Sequence, residues 1–213
     1  MCPPDGYCDD FERRDLPGGK WTATESLSAK FMIEAKRRSD EPVMCGRRLT
    51  IAIGTPKNKE YVRFLTHTFA YPNGTTTMSL SFDVFYDIAA TDAATDFGLF
   101  AAVSLERFGF DTRHIALGFD GTSGWLRLHQ GNGDAAADEV QKLPLNPRFV
   151  HRVELTLAKE GGYSAQVDGK GEVTGHVSTG FDAPLHVAVG LASPRQTEVS
   201  TSVWMDNVVI AWR

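Results

Sequence analysis

The sequence predicts an all-β protein, folded as one antiparallel sandwich or barrel. Three observations carry this. Apolar and polar residues alternate over long stretches. In the longest, Phe149, His151, Val153, Leu155 and Leu157 share one parity, and Val150, Arg152, Glu154 and Thr156 take the other. A period of two marks a strand with one buried face. Such stretches are separated by turn signals, among them Asn73-Gly74 and Asp168-Gly169. Helical periodicity is almost absent. At 213 residues the chain fits one such domain and is long enough to bury a large core.

Residues 1–20, rich in Pro and Gly, read as a leader pinned by a first strand near 9–12, at Asp9-Asp10-Phe11. Residues 21–213 then form a single domain, with no linker and no repeat. Leu27, Ala29, Phe31, Ile33 and Ala35 alternate with polar residues and predict a strand. Residues 37–46, with Pro42, read as a loop. Leu49, Ile51 and Ile53 alternate again, and residues 61–69 form a further strand. Asn73-Gly74 is the strongest hairpin turn, because both residues tolerate positive φ. With Thr75 it also spells a glycosylation acceptor, but the turn reading is preferred.

Leu80, Phe82, Val84, Tyr86 and Ile88 form a long strand with Asp83, Phe85 and Asp87 on its other face. Residues 97–105 are apolar at both parities, which predicts a strand covered on both faces; a helix over 93–105 is the competing reading. Residues 113–119 and 125–129 make a hairpin about the turn at 120–124. Residues 131–141 read as a loop with an Ala-rich centre. Pro144 and Pro147 then lead into the paired strands of 149–169. Leu185, Val187, Val189 and Leu191 form another strand, and residues 200–212 the last.

The net charge of −5 disfavours a nucleic-acid partner, since binding phosphates needs a basic surface. No apolar run approaches the roughly 18 residues of a transmembrane helix, and no signal peptide is visible. Met1 directly before Cys2 is consistent with a start that replaces a removed export signal. The cysteines are Cys2, Cys8 and Cys45. Cys8 with Cys45, or Cys2 with Cys8, would form a disulfide in an oxidising compartment; three free thiols is the competing reading. Cys2 also stands where a lipid-anchor cysteine would, although no lipobox precedes it.

Asp9-Asp10-Phe11-Glu12, Trp21 and the closing Trp204-Met205-Asp206-Asn207-Val208-Val209-Ile210 resemble the first and last strands of concanavalin A-like jelly rolls. Phe149-Val150-His151-Arg152-Val153-Glu154-Leu155 followed by Val167-Asp168-Gly169 resembles the Trp-His-x-Val and Val-Asp-Gly hairpin of laminin-G-like domains, with Phe149 in place of Trp. The resemblance implies a jelly-roll sandwich of two curved antiparallel sheets, in a secreted or envelope-associated protein that binds glycans or other proteins. It also implies a structural calcium, for which Asp10 and Asp206 are the candidate ligands, with Asp9 and Asn207 beside them. Calcium needs six to eight oxygens. The alternative is that Asp206-Asn207 ends a bulge and Asp9-Asp10 is solvated.

Catalysis has no visible signature. The chain lacks the Glu-x-Asp-x-x-Glu strand that marks laminarinase-type enzymes of this fold, in which two carboxylates share one face. Leu128-His129-Gln130 reverses the Gln-x-His order of alginate-lyase relatives, and Arg152-Val153-Glu154 only partly echoes their Arg motif. There is no Gly-x-Ser-x-Gly and no His-Glu-x-x-His. A glycan site needs an aromatic platform with polar groups around it. Trp125, Arg127 and His129 share one strand face, and Asp83, Phe85 and Asp87 share another. Together they are expected to line a carbohydrate groove; the alternative makes Trp125 core and Arg127 and His129 a solvated face. Arg63, Arg113 and Arg152 are further candidates for an acidic sugar. His151, on an apolar parity, reads as a satisfied core or edge histidine. The expected function is a non-catalytic, lectin-like module for polysaccharide. The alternatives are an adhesion or scaffold domain that contacts a surface protein, and a diverged polysaccharide hydrolase or lyase.

Overall fold

The computed structural model describes residues 6–9, 21–25, 29–34, 48–53, 61–88, 98–104, 112–119, 123–129, 139–177, 180–181, 184–193 and 201–213. In chain order the strands are β1 (Tyr7–Asp9), β2 (Thr22–Glu25), β3 (Ala29–Glu34), β4 (Arg48–Ile53), β5 (Tyr61–Phe69), β6 (Thr77–Ile88), β7 (Gly98–Ser104) and β8 (His114–Phe119). They continue with β9 (Gly124–His129), β10 (Glu139–Leu143), β11 (His151–Ala158), β12 (Gly162–Val167), β13 (Lys170–His176), β14 (Leu185–Ser193) and β15 (Thr201–Trp212). No helix occurs among the described residues.

All pairings are antiparallel, in two sheets. The first runs β13-β12-β11-β6-β15-β4-β3, and β1 also pairs with β15. The second runs β10-β9-β8-β7-β14-β5-β2. Both have hydrophobic inner faces because strand parity puts them there. Leu80, Phe82, Val84 and Tyr86 of β6 and Val153, Leu155 and Leu157 of β11 are fully buried. They belong to one core with Ile115, Leu117 and Phe119 of β8 and Val187, Val189 and Leu191 of β14. Each such side chain contributes about 1.5–3 kcal/mol by leaving water. Tyr86 and Phe119 stack at 4.4 Å, and the Tyr86 hydroxyl donates to the Leu145 carbonyl at 3.1 Å, so this buried polar group is satisfied.

The second sheet is also covered on its outer face. Phe64, Ala102, Ala116, Trp125, Ala188 and Ala192 form a separate buried cluster there. This is why residues 98–104 are apolar at both parities, and the competing helix does not form there.

Two strands depart from the sequence reading. Glu139–Leu143, partly assigned to a loop, is edge strand β10, and Lys170–His176 is edge strand β13. Both are largely exposed, so no apolar face marks them. Their edges meet where Gln141 Nε2 donates to the Thr174 carbonyl at 3.1 Å and Tyr163 Oη donates to Glu139 at 3.1 Å. Burial first, then the bond to Glu139 and its charge, push Tyr163 up to about 12. Strand β11 begins at His151, two residues later than the alternation suggests. Arg148 sits at φ 67° just after Pro147 and breaks the pattern, leaving Phe149 63% exposed beyond the sheet's end.

The first strand is found at Tyr7–Asp9, in register with Ile210, Val209 and Val208; Asp10-Phe11-Glu12 lies outside the described residues. Cys8 is in a disulfide, which excludes the all-thiol reading; Cys2 and Cys45 lie outside the described residues.

Candidate functional site

The two sets of residues expected to share a groove sit on different sheets. Trp125, Arg127 and His129 lie on β9 of the second sheet, and Asp83, Phe85 and Asp87 on β6 of the first. Parity within each strand is as expected. Leu126 and Leu128 of β9 and Phe82, Val84 and Tyr86 of β6 point into the shared core, so the two sets face outward on opposite sides of the sandwich. One groove lined by both sets is therefore corrected to two separate faces.

Neither aromatic residue is an open platform. Trp125 is 4% exposed, and the Arg127 guanidinium lies 5.0 Å from its ring centroid. Phe85 is 5% exposed and meets Trp204 edge-on at 4.8 Å. The indole N–H of Trp125 is buried with no hydrogen-bond partner among the described residues.

On the outer face of the second sheet, register aligns side chains across the strands. His129 of β9 is opposite His114 of β8, His114 is opposite Ser104 of β7, Ser104 is opposite His186 of β14, and His186 is opposite Thr68 of β5. Opposed side chains in such a ladder sit about 4.5–5.5 Å apart at Cβ. The His114 and His129 rings are 5.0 Å apart, and both are buried, at 4% and 7% exposure. His114 Nδ1 lies 2.7 Å from the Thr112 carbonyl, and His186 Nδ1 lies 3.0 Å from Thr68 Oγ1. The neighbouring row runs Arg127, Ala116, Ala102, Ala188 and Thr66. Lys142 stands opposite Trp125 on the edge strand β10 and is exposed. The sequence exposes each histidine but not the row. The only local signal is that His114, His129 and His186 each take the parity opposite their strand's core residues.

The outer face of the first sheet is a seam of ion pairs. Arg152 donates to Asp83 at 3.1 Å, to the Asn207 carbonyl at 3.0 Å and to Ser81 Oγ at 2.6 Å. The Asn207 side-chain amide donates to the other Asp83 oxygen at 2.7 Å. Arg148 pairs with Asp87 at 2.9 Å. Asn207, at φ 50°, sits in a register shift of β15 between Asp206 and Val209. Asp206 is 3% exposed and accepts the Asn207 backbone N–H at 2.7 Å. Asp10 lies outside the described residues. Among those described, no three His, Cys, Asp or Glu side chains gather to hold a metal ion, and Arg152 already neutralises Asp83 opposite Asp206. Of the two candidate calcium ligands, the described residues thus hold Asp206 alone.

His151 is the satisfied histidine expected. Its Nε2 lies 3.1 Å from the Asn146 backbone nitrogen and 3.2 Å from the Asn146 carbonyl oxygen, and its Nδ1 lies 2.8 Å from the Asp168 carboxylate. Burial alone would raise the Asp168 pKa. The bonds from His151 and the Arg152 N–H outweigh it, helped by the charges of His151 and Lys170, and hold the carboxyl below its ordinary value.

No family model matches the chain, and no curated protein matches it. Solved structures do. An endo-β-1,4-glucuronan lyase from the fungus Trichoderma reesei superposes with a TM-score of 0.69 at 12% identity, over 96% of this chain and 94% of that one. The cellulose induced protein Cip1 gives 0.65 at 13% identity, over 96% of each chain. A binding domain of botulinum neurotoxin DC, solved in complex with SialylT, gives 0.52 at 11% identity, over 88% of this chain and 42% of that one. These likenesses carry the fold and not the narrower laminin-G-like grouping: the chain is a concanavalin A-like jelly-roll sandwich of two antiparallel sheets.

Proposed function

We propose that this domain is a non-catalytic, lectin-like module that binds polysaccharide on the outer face of its second sheet. The observation that carries this is the cross-strand alignment of His129, His114, Ser104, His186 and Thr68 beside Arg127. Of these, Arg127 and His186 are partly exposed and Thr68 is exposed, which leaves them to meet a sugar's hydroxyls, while His114, His129 and Ser104 are buried and back them. With Trp125 inside, recognition rests on these polar and cationic groups rather than on ring stacking. Likeness to a domain solved in complex with SialylT supports the binding reading. The disulfide at Cys8 supports an oxidising setting, as in secreted or envelope proteins. The test is a polysaccharide array probed with wild-type protein and Arg127→Gln. Selective binding lost in the variant is expected. Binding unaffected by the variant would remove the site from this face, and no binding at all would favour an adhesion or scaffold role.

A second reading, a polysaccharide lyase, is favoured by one observation. Two imidazoles pack at 5.0 Å next to an arginine, on a fold that matches a glucuronan lyase over 96% of this chain. A histidine could take a proton, and an arginine could neutralise a carboxylate. Ultraviolet absorbance from unsaturated sugar products, lost in His129→Ala, would establish that reading; no product from a range of uronans would exclude it.

A further inference from the structure

Phe149 shares the parity of Val153 and Leu155 but lies before the first residue of β11, so its ring overhangs the core and is 63% exposed. Every other aromatic side chain whose burial the structure describes is buried or half-buried. We propose that this end of the first sheet is a second sugar-binding surface, where Phe149 stacks on a neutral polysaccharide and Asn146 and Asp168 hydrogen-bond its hydroxyls. This rests on the carbohydrate reading above and adds a surface to it.

The segment that presents the ring is tied down on both sides. The Tyr86 hydroxyl donates to the Leu145 carbonyl at 3.1 Å, the Arg148 N–H donates to the Tyr86 carbonyl at 2.9 Å, and Arg148 Nε donates to Asp87 at 2.9 Å. Arg148 and Asp168 hold left-handed backbone, at φ 67° and 52°, which residues other than glycine keep only where their surroundings impose it. The buried His151 ring is the hub. It lies 6.5 Å from the Phe149 ring, 3.1 Å from the Asn146 backbone nitrogen and 2.8 Å from the Asp168 carboxylate. Phe149, Asn146 and Asp168 thus surround one fixed imidazole, and all three are exposed. A lone exposed ring is ordinary, but a ring held in place among open polar groups has the makeup of a sugar platform. The Asn146 side-chain amide makes no hydrogen bond to the described residues, so its donors and acceptor are open. Asp168 meets His151 with one oxygen and the Arg152 N–H with the other. A carboxylate accepts about four bonds, which leaves half of its capacity on a side chain that is 48% exposed. From Asn146 to Phe149 the backbone spans at most about 11 Å, the length of a short stretch of sugar chain. The local charges cancel, with Asp168 balanced by nearby Lys170 and Arg148 by Asp87. A carboxylate in the middle accepts from hydroxyls and repels uronate or sulfate, so the surface suits a neutral polymer.

The test is calorimetric titration of the whole chain with laminarin, hydroxyethyl cellulose and galactomannan, and with polygalacturonate as the anionic comparison. At least one neutral polymer should bind. Phe149→Ala should weaken that binding about ten-fold or more, because the ring's apolar area then stays out of the contact. Its melting temperature should stay within about 1 °C of wild type, since an exposed side chain holds little of the fold. Asn146→Ala should weaken binding about three-fold. Phe149→Trp should retain binding, and its indole emission should shift to the blue as polymer is added. Binding by wild type that Phe149→Ala leaves unchanged would overturn this surface and leave the carbohydrate reading standing. Tighter binding of polygalacturonate than of every neutral polymer would overturn the neutral assignment. Absence of binding to all four polymers would overturn the carbohydrate reading, and this surface with it.

Discussion

Replacing Arg152 with Met tests whether the first sheet's outer seam is held by an arginine or by a metal. Arg152 joins three strands: its own, β6 through Asp83 and Ser81, and β15 through the Asn207 carbonyl. Arg152 is 40% exposed and Asp83 25%, so the ion pair itself is screened and contributes about 1 kcal/mol at most. The two remaining bonds add about 0.5–1.5 kcal/mol each before rehydration of the groups left behind. Part of that returns because water reaches the site, so the expected loss is about 1.5–2.5 kcal/mol. For a chain of this size that lowers the melting temperature by about 3–10 °C. Urea unfolding of wild type, Arg152→Met, Asp83→Asn and the double variant isolates the pair, with an expected coupling of about 0.5–1 kcal/mol. Calcium and EGTA should leave the wild-type melting temperature unchanged. A loss below about 0.5 kcal/mol with additive variants would refute the clasp. A calcium-dependent rise of several degrees would refute the view that the arginine alone holds the seam.

Asp168→Asn should lessen the acid sensitivity of the fold. The Asp168 pKa is depressed in the folded state, so its contribution is present above the unfolded value and is lost as pH falls through the folded one; circular dichroism melts from pH 6 to pH 2 should show that loss in wild type and a shallower one in the variant. Tyr163 behaves in the opposite sense. Its pKa is raised to about 12, so stability should fall as pH climbs from about 10 toward that value, and Tyr163→Phe should flatten the fall in urea midpoints. Gly124→Ala should cost about 1–3 kcal/mol, because the added methyl would land on the Leu145 side chain; a melting temperature within 1 °C of wild type would show that Leu145 moves aside freely. Cys8→Ser should cost about 2–5 kcal/mol in thermal melts, and dithiothreitol should reproduce the loss in wild type but not in the variant.

The buried strands were legible because each carries one apolar parity. Phe82, Val84 and Tyr86 announce β6, and Val153, Leu155 and Leu157 announce β11. Ala101, Ala102 and Val103 announce β7 by being apolar on both sides. Edge strands carry no such mark. Val140 is 50% exposed, and Lys170, Gly171 and Glu172 face solvent, so nothing local set them apart from loops. The site followed the same division. That Trp125, Arg127 and His129 share a face is local and was readable. That β9 and β6 belong to different sheets is a matter of long-range pairing, which no short stretch encodes. The histidine row is hidden for the same reason, since His186 becomes a near neighbour of Ser104 only through pairing across 82 residues of sequence.

The pairing of β1 with β15 sets Tyr7 beside Ile210. A peptide entering at β1 and another leaving after β15 would therefore start from nearly one point on the surface. The sandwich can be spliced into a surface loop of a larger host without prying that loop apart. By the same geometry, a short bridge between those two strands would allow new ends to be cut at the exposed Asn73-Gly74 turn, which would give a circular permutant with both sheets intact.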